Sequence, residues 1–285
     1  MNDTIRTPMN RRHFLHHAAA GTAGLALGLG LARNAHAQAA KKLPVGVQLY
    51  SVRKQCEQDL PGTLKEVSKI GYRGVEWAGY YGKSAKELKQ MLDDNGLVTC
   101  GTHTGYDTVL GDKLKATIEF NQILGNKFLI VPSMTGKTKA DWEAKAKLFN
   151  ELVSKVTPQG MFVGYHAHAH DFEKLDGVSV WDIFFGGTVP AVVMQLDTSN
   201  CAEGGADPVA VLKKYPGRAK TIHLKANGGG AEAVMGEDKV DWKEVFAFCE
   251  GPGGTQWYIV EHESSKQPVD AIRRCYAALK QMGKV

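Results

Sequence analysis

Ala191-Val-Val-Met-Gln-Leu-Asp197 is a short apolar run that ends in polar side chains, and Thr221-Ile-His-Leu-Lys225 repeats this pattern further along the chain. Short runs rich in Val, Ile and aromatic residues are typical of strands that are buried on both faces of a parallel sheet. The pattern occurs eight times. It predicts strands at Val45–Tyr50, Gly74–Trp77, Val98–His103, Phe128–Val131, Phe162–His166, Ala191–Asp197, Thr221–Leu224 and Trp257–Glu261.

Amphipathic stretches separate the predicted strands, and their ends have helix capping signals. Ser84 with Glu87 matches a capping box, Gly71 is placed as a C-terminal glycine, and Asp207 precedes Pro208. About 250 residues follow residue 37, which is the usual size of a (β/α)8 barrel. We therefore predict an α/β fold, a single TIM barrel over residues 38–285. Its helices are predicted at Leu64–Ile70, Ser84–Asp94, Lys113–Leu124, Ala140–Val156, Pro208–Lys214 and Val269–Met282.

An open, doubly wound sheet is the competing architecture. The first predicted strand is not followed by a G-x-G-x-x-G motif, and the chain has no Walker motif. These two absences argue against nucleotide cofactors. The glycine-rich segment 227–230 follows the seventh predicted strand, where barrels often bind phosphate, but a bare glycine run favours a flexible loop.

The first 37 residues resemble a twin-arginine export signal. Asn10-Arg11-Arg12-His13-Phe14-Leu15 is followed by an apolar run over 18–31 and by Ala35-His36-Ala37, a small-x-small cleavage site. The run is short and glycine-rich for a transmembrane helix, so we expect cleavage and no stable membrane insertion afterwards; an uncleaved anchor is the alternative. The resemblance implies the twin-arginine export machinery as a partner and a periplasmic location.

Charge and cysteine content limit the function classes further. The chain has 35 basic and 30 acidic residues, a formal net charge of +5, and the basic residues form no stripe that would suit nucleic acid. Its five cysteines include no C-x-x-C pair, which argues against a zinc ribbon or a disulfide framework. We expect most of them to be buried small apolar residues, and pairing after export is left open.

Metal-ligating side chains stand at the ends of four consecutive predicted strands. They are His166, Asp197, His223 and Glu261. Polar residues at the carboxyl ends of barrel strands converge on one mouth, so these four can form a single site. A mixed imidazole and carboxylate set suits one divalent ion, and Mn, Co, Fe, Zn and Mg are all compatible with it.

With these motifs, the chain resembles the sugar isomerase and epimerase family with a xylose-isomerase-like barrel. The resemblance implies that Asp197, His223 and Glu261 hold a divalent metal. The fifth strand departs from the family pattern, because His166 stands where the epimerases place a glutamate, and this is similar to the branch that contains inosose dehydratase. The motifs that carry the resemblance are Val45–Tyr50, Gly74–Trp77, Gly164–His168 with Asp171–Glu173, Leu196–Asn200, Ile222–Lys225, Val240–Trp242 and Val260–Glu261.

Further side chains near these strand ends are candidates for proton transfer and substrate binding. The proposed acids and bases are His103, His168, Lys225 and Glu263, of which Lys225 follows a ligand by two residues and can hold an oxyanion. Sugar hydroxyl groups and ring faces need polar and aromatic contacts. For these contacts we predict Gln48, Tyr50, Glu76, Trp77, Asn200 and Glu237.

A metal-bound carbonyl beside a hydroxyl makes the neighbouring C–H acidic enough for a side-chain base. The leading prediction is therefore a metal-dependent isomerase or epimerase that acts on a small sugar, a keto-sugar or polyol. One alternative is a lyase that cleaves 3-keto-glycosides or dehydrates a keto-polyol by β-elimination; another is a periplasmic sugar-binding protein without turnover. The sugar, the metal and the oligomeric state are left open.

Overall fold

Eight short parallel strands form a nearly closed barrel in the computed structural model, which describes residues 42–285. The strands are β1 Val45–Gln48, β2 Gly74–Trp77, β3 Val98–His103, β4 Phe128–Val131, β5 Phe162–His166, β8 Val193–Gln195, β9 Thr221–Leu224 and β10 Trp257–Val260. Around the barrel their order is β1, β2, β3, β4, β5, β8, β9, β10 and back to β1, and every neighbouring pair except β8 and β9 shares a parallel ladder.

The gap between β8 and β9 is closed by a single bridge. Asp197, just beyond β8, pairs in parallel with His223 of β9, and the His223 backbone N–H donates to the Leu196 carbonyl over 2.9 Å. The predicted barrel is confirmed. Two of the predicted metal ligands therefore lie at the seam where the barrel closes.

Helices follow the strands and cover the barrel from outside. The predicted capping signals are present: Ser84 and Glu87 form a capping box, Gly71 ends a helix with a positive φ of 118°, and Asp207 caps the helix that starts at Pro208. The helices are α1 Arg53–Gln58, α2 Leu60–Ile70, α3 Ala85–Asp94, α4 Lys113–Ile123, α5 Lys139–Val156, α6 Val180–Gly187, α7 Thr198–Glu203, α8 Pro208–Lys214, α9 Trp242–Glu250 and α10 Pro268–Gln281.

Three strand ends and several short elements differ from the sequence prediction. The first, sixth and eighth strands end earlier than predicted, at Gln48, Gln195 and Val260. In the first case Leu49–Val52 forms a 3-10 helix capped by Gln48. The prediction missed α1, α6, α7, α9 and a small antiparallel hairpin of β6 Lys174–Leu175 and β7 Val178–Ser179.

Side chains alternate between the barrel interior and the helix layer along each strand. On β2 this places Glu76 inside and Trp77 outside, where Trp77 is fully buried and its indole N–H donates to Thr99 Oγ1 over 3.1 Å. The prediction that Trp77 stacks on substrate was wrong, because its ring lies in the core that joins strands to helices. A small apolar cluster of Phe128, Ile130 and Val193 lies apart from that core.

Residues 42–285 contain no helix that is long and apolar enough to cross a membrane. All five cysteines are buried and unpaired. The predicted export signal, residues 1–37, lies outside the described residues, so cleavage and periplasmic location stay predictions.

Candidate metal centre

The four predicted metal ligands lie together at the mouth of the barrel. His166 is the last residue of β5, His223 lies in β9, Asp197 follows β8 and caps α7, and Glu261 directly follows β10. Each can offer one ligand atom, and these atoms all lie within 4.8 Å of one another. All four residues are buried, so water competes little for the space between them.

Asp197 has an acceptor atom that no described group satisfies. Its Oδ1 accepts the backbone N–H of Asn200 over 2.7 Å, whereas Oδ2 is buried without a hydrogen-bond partner. An unsatisfied buried carboxylate oxygen carries a large desolvation cost, so such an atom usually has a ligand. Together with Asp197, the two imidazoles and the Glu261 carboxylate form a ligand set that fits a divalent ion of the first transition series or zinc.

His223 joins the cluster to a deeper carboxylate. Its Nδ1 lies 2.8 Å from Glu261 Oε2 and 3.8 Å from Asp197 Oδ2, and its Nε2 lies 2.6 Å from Glu76 Oε2. Burial alone lowers the pKa of His223, but Glu76 and Glu261 outweigh burial and raise its pKa to about 10. In the protein alone, a positive charge between these carboxylates is thus strongly favoured.

The pKa values of the other three ligands are shifted by different neighbours. Burial raises the pKa of Asp197 to about 7 even though Lys225 opposes this shift. Burial also acts to raise the pKa of Glu261, but His223 and Lys225 hold it well below its ordinary value. The pKa of His166 is lowered by burial and by the neighbouring imidazoles, so this side chain is a neutral ligand.

Below the four ligands lies a polar layer that we call the interior floor: Gln48, Glu76 and Gln195. All three are fully buried. Glu76 accepts from Gln48 Nε2 and from Gln195 Nε2, each over 2.7 Å. Glycine leaves room for this carboxylate, since a Cβ at Gly101 would lie 2.5 Å from Glu76 Oε1. Gln48 and Glu76 were predicted to contact substrate; both are fully buried and hydrogen-bonded to each other in the floor, and their role in substrate binding stays a prediction.

Gln195 was not predicted as a site residue, although it is two residues before Asp197 and therefore on the same face of the chain. Its Oε1 lies 3.0 Å from His103 Nε2 and 3.1 Å from His166 Nδ1. The His103 ring in turn stacks on His223, with ring centroids 5.3 Å apart. One amide thus contacts a predicted ligand and a predicted acid or base at once.

Above the ligands lie three polar side chains, two of them charged, that we call the rim: Lys225, Glu263 and Asn200. Lys225 Nζ donates to Glu263 Oε2 over 3.0 Å and to Asn200 Oδ1 over 3.2 Å. Burial acts to lower the pKa of Lys225, but Asp197 and the nearby glutamates outweigh burial and raise this pKa above its ordinary value. A cavity of about 270 Å³ borders Lys225, Glu263 and His262, so a small molecule can reach the rim.

His168 lies beside the rim and is partly buried. Its Nδ1 is buried without a hydrogen-bond partner, and its backbone N–H donates to Asp171 Oδ2 over 2.8 Å. Asp171 also accepts from the Tyr165 hydroxyl, so the turn after β5 is held from two sides. Burial lowers the pKa of His168 to about 4, which makes the ring neutral at neutral pH.

Two of the predicted substrate contacts lie at the surface. Tyr50 is 44% exposed, and the Arg53 guanidinium lies 4.2 Å from the centre of its ring. Glu237 accepts from Arg274 of α10 over 2.7 Å and from the Val234 backbone N–H. Neither borders the cavity at the rim, and their roles in substrate binding stay predictions.

Comparison with known proteins identifies the barrel. Residues 64–282 match the family described as xylose isomerase-like TIM barrel. The chain belongs to this family. Among curated relatives, an inosose dehydratase of Clostridium botulinum (strain Alaska E43 / Type E3) is 23% identical over 256 residues, covering 73% of this chain and 83% of that protein. An inosose dehydratase of Bacillus anthracis is 25% identical over 251 residues, covering 70% of this chain and 80% of that protein.

Solved structures share the xylose isomerase-like barrel. A sugar phosphate isomerase/epimerase from Parabacteroides distasonis ATCC 8503 superposes with a TM-score of 0.75 at 25% identity, covering 85% of this chain and 99% of that one. An L-ribulose 3-epimerase superposes with a TM-score of 0.62 at 14% identity, which shows the fold alone. The resemblance to sugar isomerases and epimerases that the motifs predicted is confirmed at the level of the family.

Proposed function

We propose that the protein is a divalent-metal-dependent enzyme of the sugar isomerase and epimerase type, which acts on a keto-sugar or polyol by removing a proton next to the carbonyl. The observation that carries this proposal is the buried set of His166, Asp197, His223 and Glu261 around the unsatisfied Oδ2 of Asp197. Relatives named inosose dehydratase and structures named isomerase/epimerase support a sugar or polyol as substrate.

The four ligands would hold the ion at the bottom of the mouth. When bound, a divalent ion supplies Lewis acidity that polarises a carbonyl and an adjacent hydroxyl. Lys225 is the cation of the rim, and its ammonium group is placed to hold an oxygen that gains negative charge. Glu263 accepts from Lys225 and keeps this side chain directed toward the mouth. His168 is neutral with an unpartnered Nδ1, so it is available to exchange a proton.

Elimination is the second candidate, and the Lys225 and Glu263 pair favours it. A leaving oxygen needs a proton, and an ammonium group at the rim is a suitable donor. Several curated relatives are named inosose dehydratase, and a dehydratase expels water from its substrate. Both candidates share removal of the proton next to the carbonyl. They differ only in whether that proton returns to carbon or a substituent leaves.

Product analysis distinguishes the two candidates. The full chain, loaded with Mn²⁺, is incubated in D2O with a free ketose, a keto-inositol or a 3-keto-glucoside, and protein and metal are removed before proton NMR. Deuterium uptake with a new epimer or isomer supports the isomerase, and loss of water or of the aglycone supports elimination. No change in any substrate, with metal bound, would contradict both and favour a binding protein.

The place of action is part of the proposal. Residues 10–15 and 35–37 support export through the twin-arginine route, and a periplasmic enzyme meets sugars without phosphate. Cell fractionation tests this, with Arg11→Lys and Arg12→Lys combined as the matched variant. We expect the wild-type chain in the periplasm and the variant in the cytoplasm. An equal distribution of both would contradict export by this route.

A further inference from the structure

We propose that Gln195 and Glu76 are positioning residues that set the hydrogen-bond direction through the metal centre, so that His166 binds the ion by Nε2 and His223 by Nδ1. The inference rests on the proposed function in one respect, the presence of a metal at the four ligands. Neither Gln195 nor Glu76 borders the cavity at the rim, and the polar atoms of both are engaged with each other and with histidines. Their effect is therefore on the ligands rather than on substrate.

A backbone amide shows how the Gln48 side chain is oriented. The Tyr50 backbone N–H lies 3.0 Å from Gln48 Oε1. A backbone N–H can only donate, so the amide oxygen of Gln48 must face it. The amide nitrogen of Gln48 then faces Glu76, where it donates to Oε2 over 2.7 Å. Glu76 is an acceptor at this contact.

The orientation of the Gln195 amide follows from Glu76. Gln195 Nε2 lies 2.7 Å from Glu76 Oε1 and 3.0 Å from Thr221 Oγ1. The reversed amide would place two acceptor oxygens 2.7 Å apart without a hydrogen between them, which is strongly unfavourable. The Oε1 atom of Gln195 must therefore face the other way, toward the histidines.

Both ligand histidines are oriented by these two acceptors. Gln195 Oε1 lies 3.1 Å from His166 Nδ1, so that nitrogen carries the hydrogen and Nε2 keeps its lone pair. Glu76 Oε2 lies 2.6 Å from His223 Nε2, so in a neutral ring Nδ1 keeps the lone pair. That Nδ1 faces Glu261 and Asp197, at 2.8 Å and 3.8 Å. Partners of this kind orient ligand rings and increase their basicity.

His103 shares the same acceptor. Its Nε2 lies 3.0 Å from Gln195 Oε1, so this nitrogen also donates, and the ring is held between the amide and the His223 ring. A single amide oxygen thus fixes two imidazoles from different strands. Its loss would release both rings at once.

Metal affinity is the readout that does not depend on turnover. We would measure the affinity of the full chain for Co²⁺ by competition with a chromogenic chelator, for Gln195→Met and for the matched control Gln48→Met. Both residues are fully buried and both donate to Glu76, but only Gln195 contacts histidine. We expect Gln195→Met to weaken Co²⁺ binding by about 10- to 100-fold and Gln48→Met by less than about threefold.

Glu76→Gln tests the second positioning residue and serves if Gln195→Met does not fold, which circular dichroism of the metal-free chain would reveal. The amide has the size of the carboxylate but only one acceptor oxygen, whereas Glu76 accepts from Gln195 through Oε1 and faces His223 through Oε2. We expect Glu76→Gln to weaken Co²⁺ binding by about 10- to 100-fold. Equal losses in Gln195→Met and Gln48→Met, or wild-type affinity in Glu76→Gln, would overturn the inference. Absence of Co²⁺ binding by the wild type would instead overturn the proposed function.

A second measurement identifies the ligand atoms directly. Long-range proton–nitrogen NMR of the histidine-labelled, zinc-loaded chain distinguishes a metal-bound Nε2 from a metal-bound Nδ1, and the His166→Gln and His223→Gln spectra assign the two rings. We expect His166 bound by Nε2 and His223 by Nδ1. Coordination by the opposite nitrogen in either ring would contradict the direction of the network.

Discussion

The interior floor and the four ligands above it are both buried, polar and charged, yet their hydrogen bonding differs. In the floor, Gln48, Glu76 and Gln195 satisfy one another. One layer higher, Asp197 Oδ2 is equally buried and has no partner. Burial is therefore not what separates a supporting residue from a ligand in this barrel. The ligand layer is distinguished by an unsatisfied carboxylate oxygen that lies among three further possible metal ligands.

The same difference explains why so much charge is tolerated inside one barrel. Glu76 is compensated by donors that the chain itself supplies, so the floor is complete without a ligand. Asp197 and Glu261 have His223 and Lys225 as their nearby cations, at the seam and at the rim. An added divalent ion would complete the upper layer only. Changes at each level should therefore give different results.

The largest effect is expected from Asp197→Asn, which removes the charge on the unsatisfied oxygen. The asparagine Oδ1 can still accept the Asn200 backbone N–H, so the cap of α7 is retained. We expect the metal affinity to fall by more than about 100-fold, because a ligand itself is lost. This loss exceeds the one expected from removing a residue that only contacts a ligand. Metal analysis after gel filtration measures this.

The control for that change is Asp207→Asn. Asp207 caps α8 through Val209 N–H, as Asp197 caps α7, but it lies outside the cluster. Asp207→Asn should bind the metal as the wild type does, and added metal should raise its melting temperature by the same amount. Full metal content in Asp197→Asn would remove the basis for distinguishing the two layers.

The sequence predicts this upper layer better than the floor. His166, Asp197, His223 and Glu261 stand at strand ends, and parallel strands bring such ends to one mouth, so the spacing along the chain predicts their meeting. Trp77 was wrongly placed in that mouth because the alternation of β2 turns neighbouring residues to opposite faces. Strand composition alone does not show which of two neighbouring residues faces the barrel interior.

The floor depends on pairings that span long distances along the chain. Gln195 meets Glu76 across 119 residues, and nothing near either residue in sequence predicts the other. Gln48 likewise looks in the sequence like any amide residue at the end of a strand. The structure shows that its side-chain oxygen caps the 3-10 helix after β1. Such contacts follow from the barrel's register rather than from local pattern, so they needed the structure.

A smaller effect, on turnover rather than on metal, is expected at the rim from Lys225→Met. The ammonium group contacts Glu263 and Asn200 but is not a ligand, so metal content should stay unchanged. We expect kcat to fall by about 10²- to 10⁴-fold, the usual contribution of a positioned acid. Lys213→Met, which removes a surface pair with Glu244, is the matched control and should keep its rate. Wild-type kcat in Lys225→Met would exclude the rim from proton transfer.

The smallest effect is expected from Glu237→Gln, outside both layers. Glu237 and Arg274 form an ion pair of 2.7 Å with half-exposed side chains, and exposed pairs of this kind contribute little to stability. Metal content and melting temperature should be nearly unchanged, and kcat/KM should stay within about twofold, because water and salt screen the lost charge. Steady-state kinetics with the substrate found by NMR measures this. If kcat/KM instead fell tenfold or more with normal metal content, Glu237 would be a substrate contact after all, and the site would extend from the rim to the loop before α9.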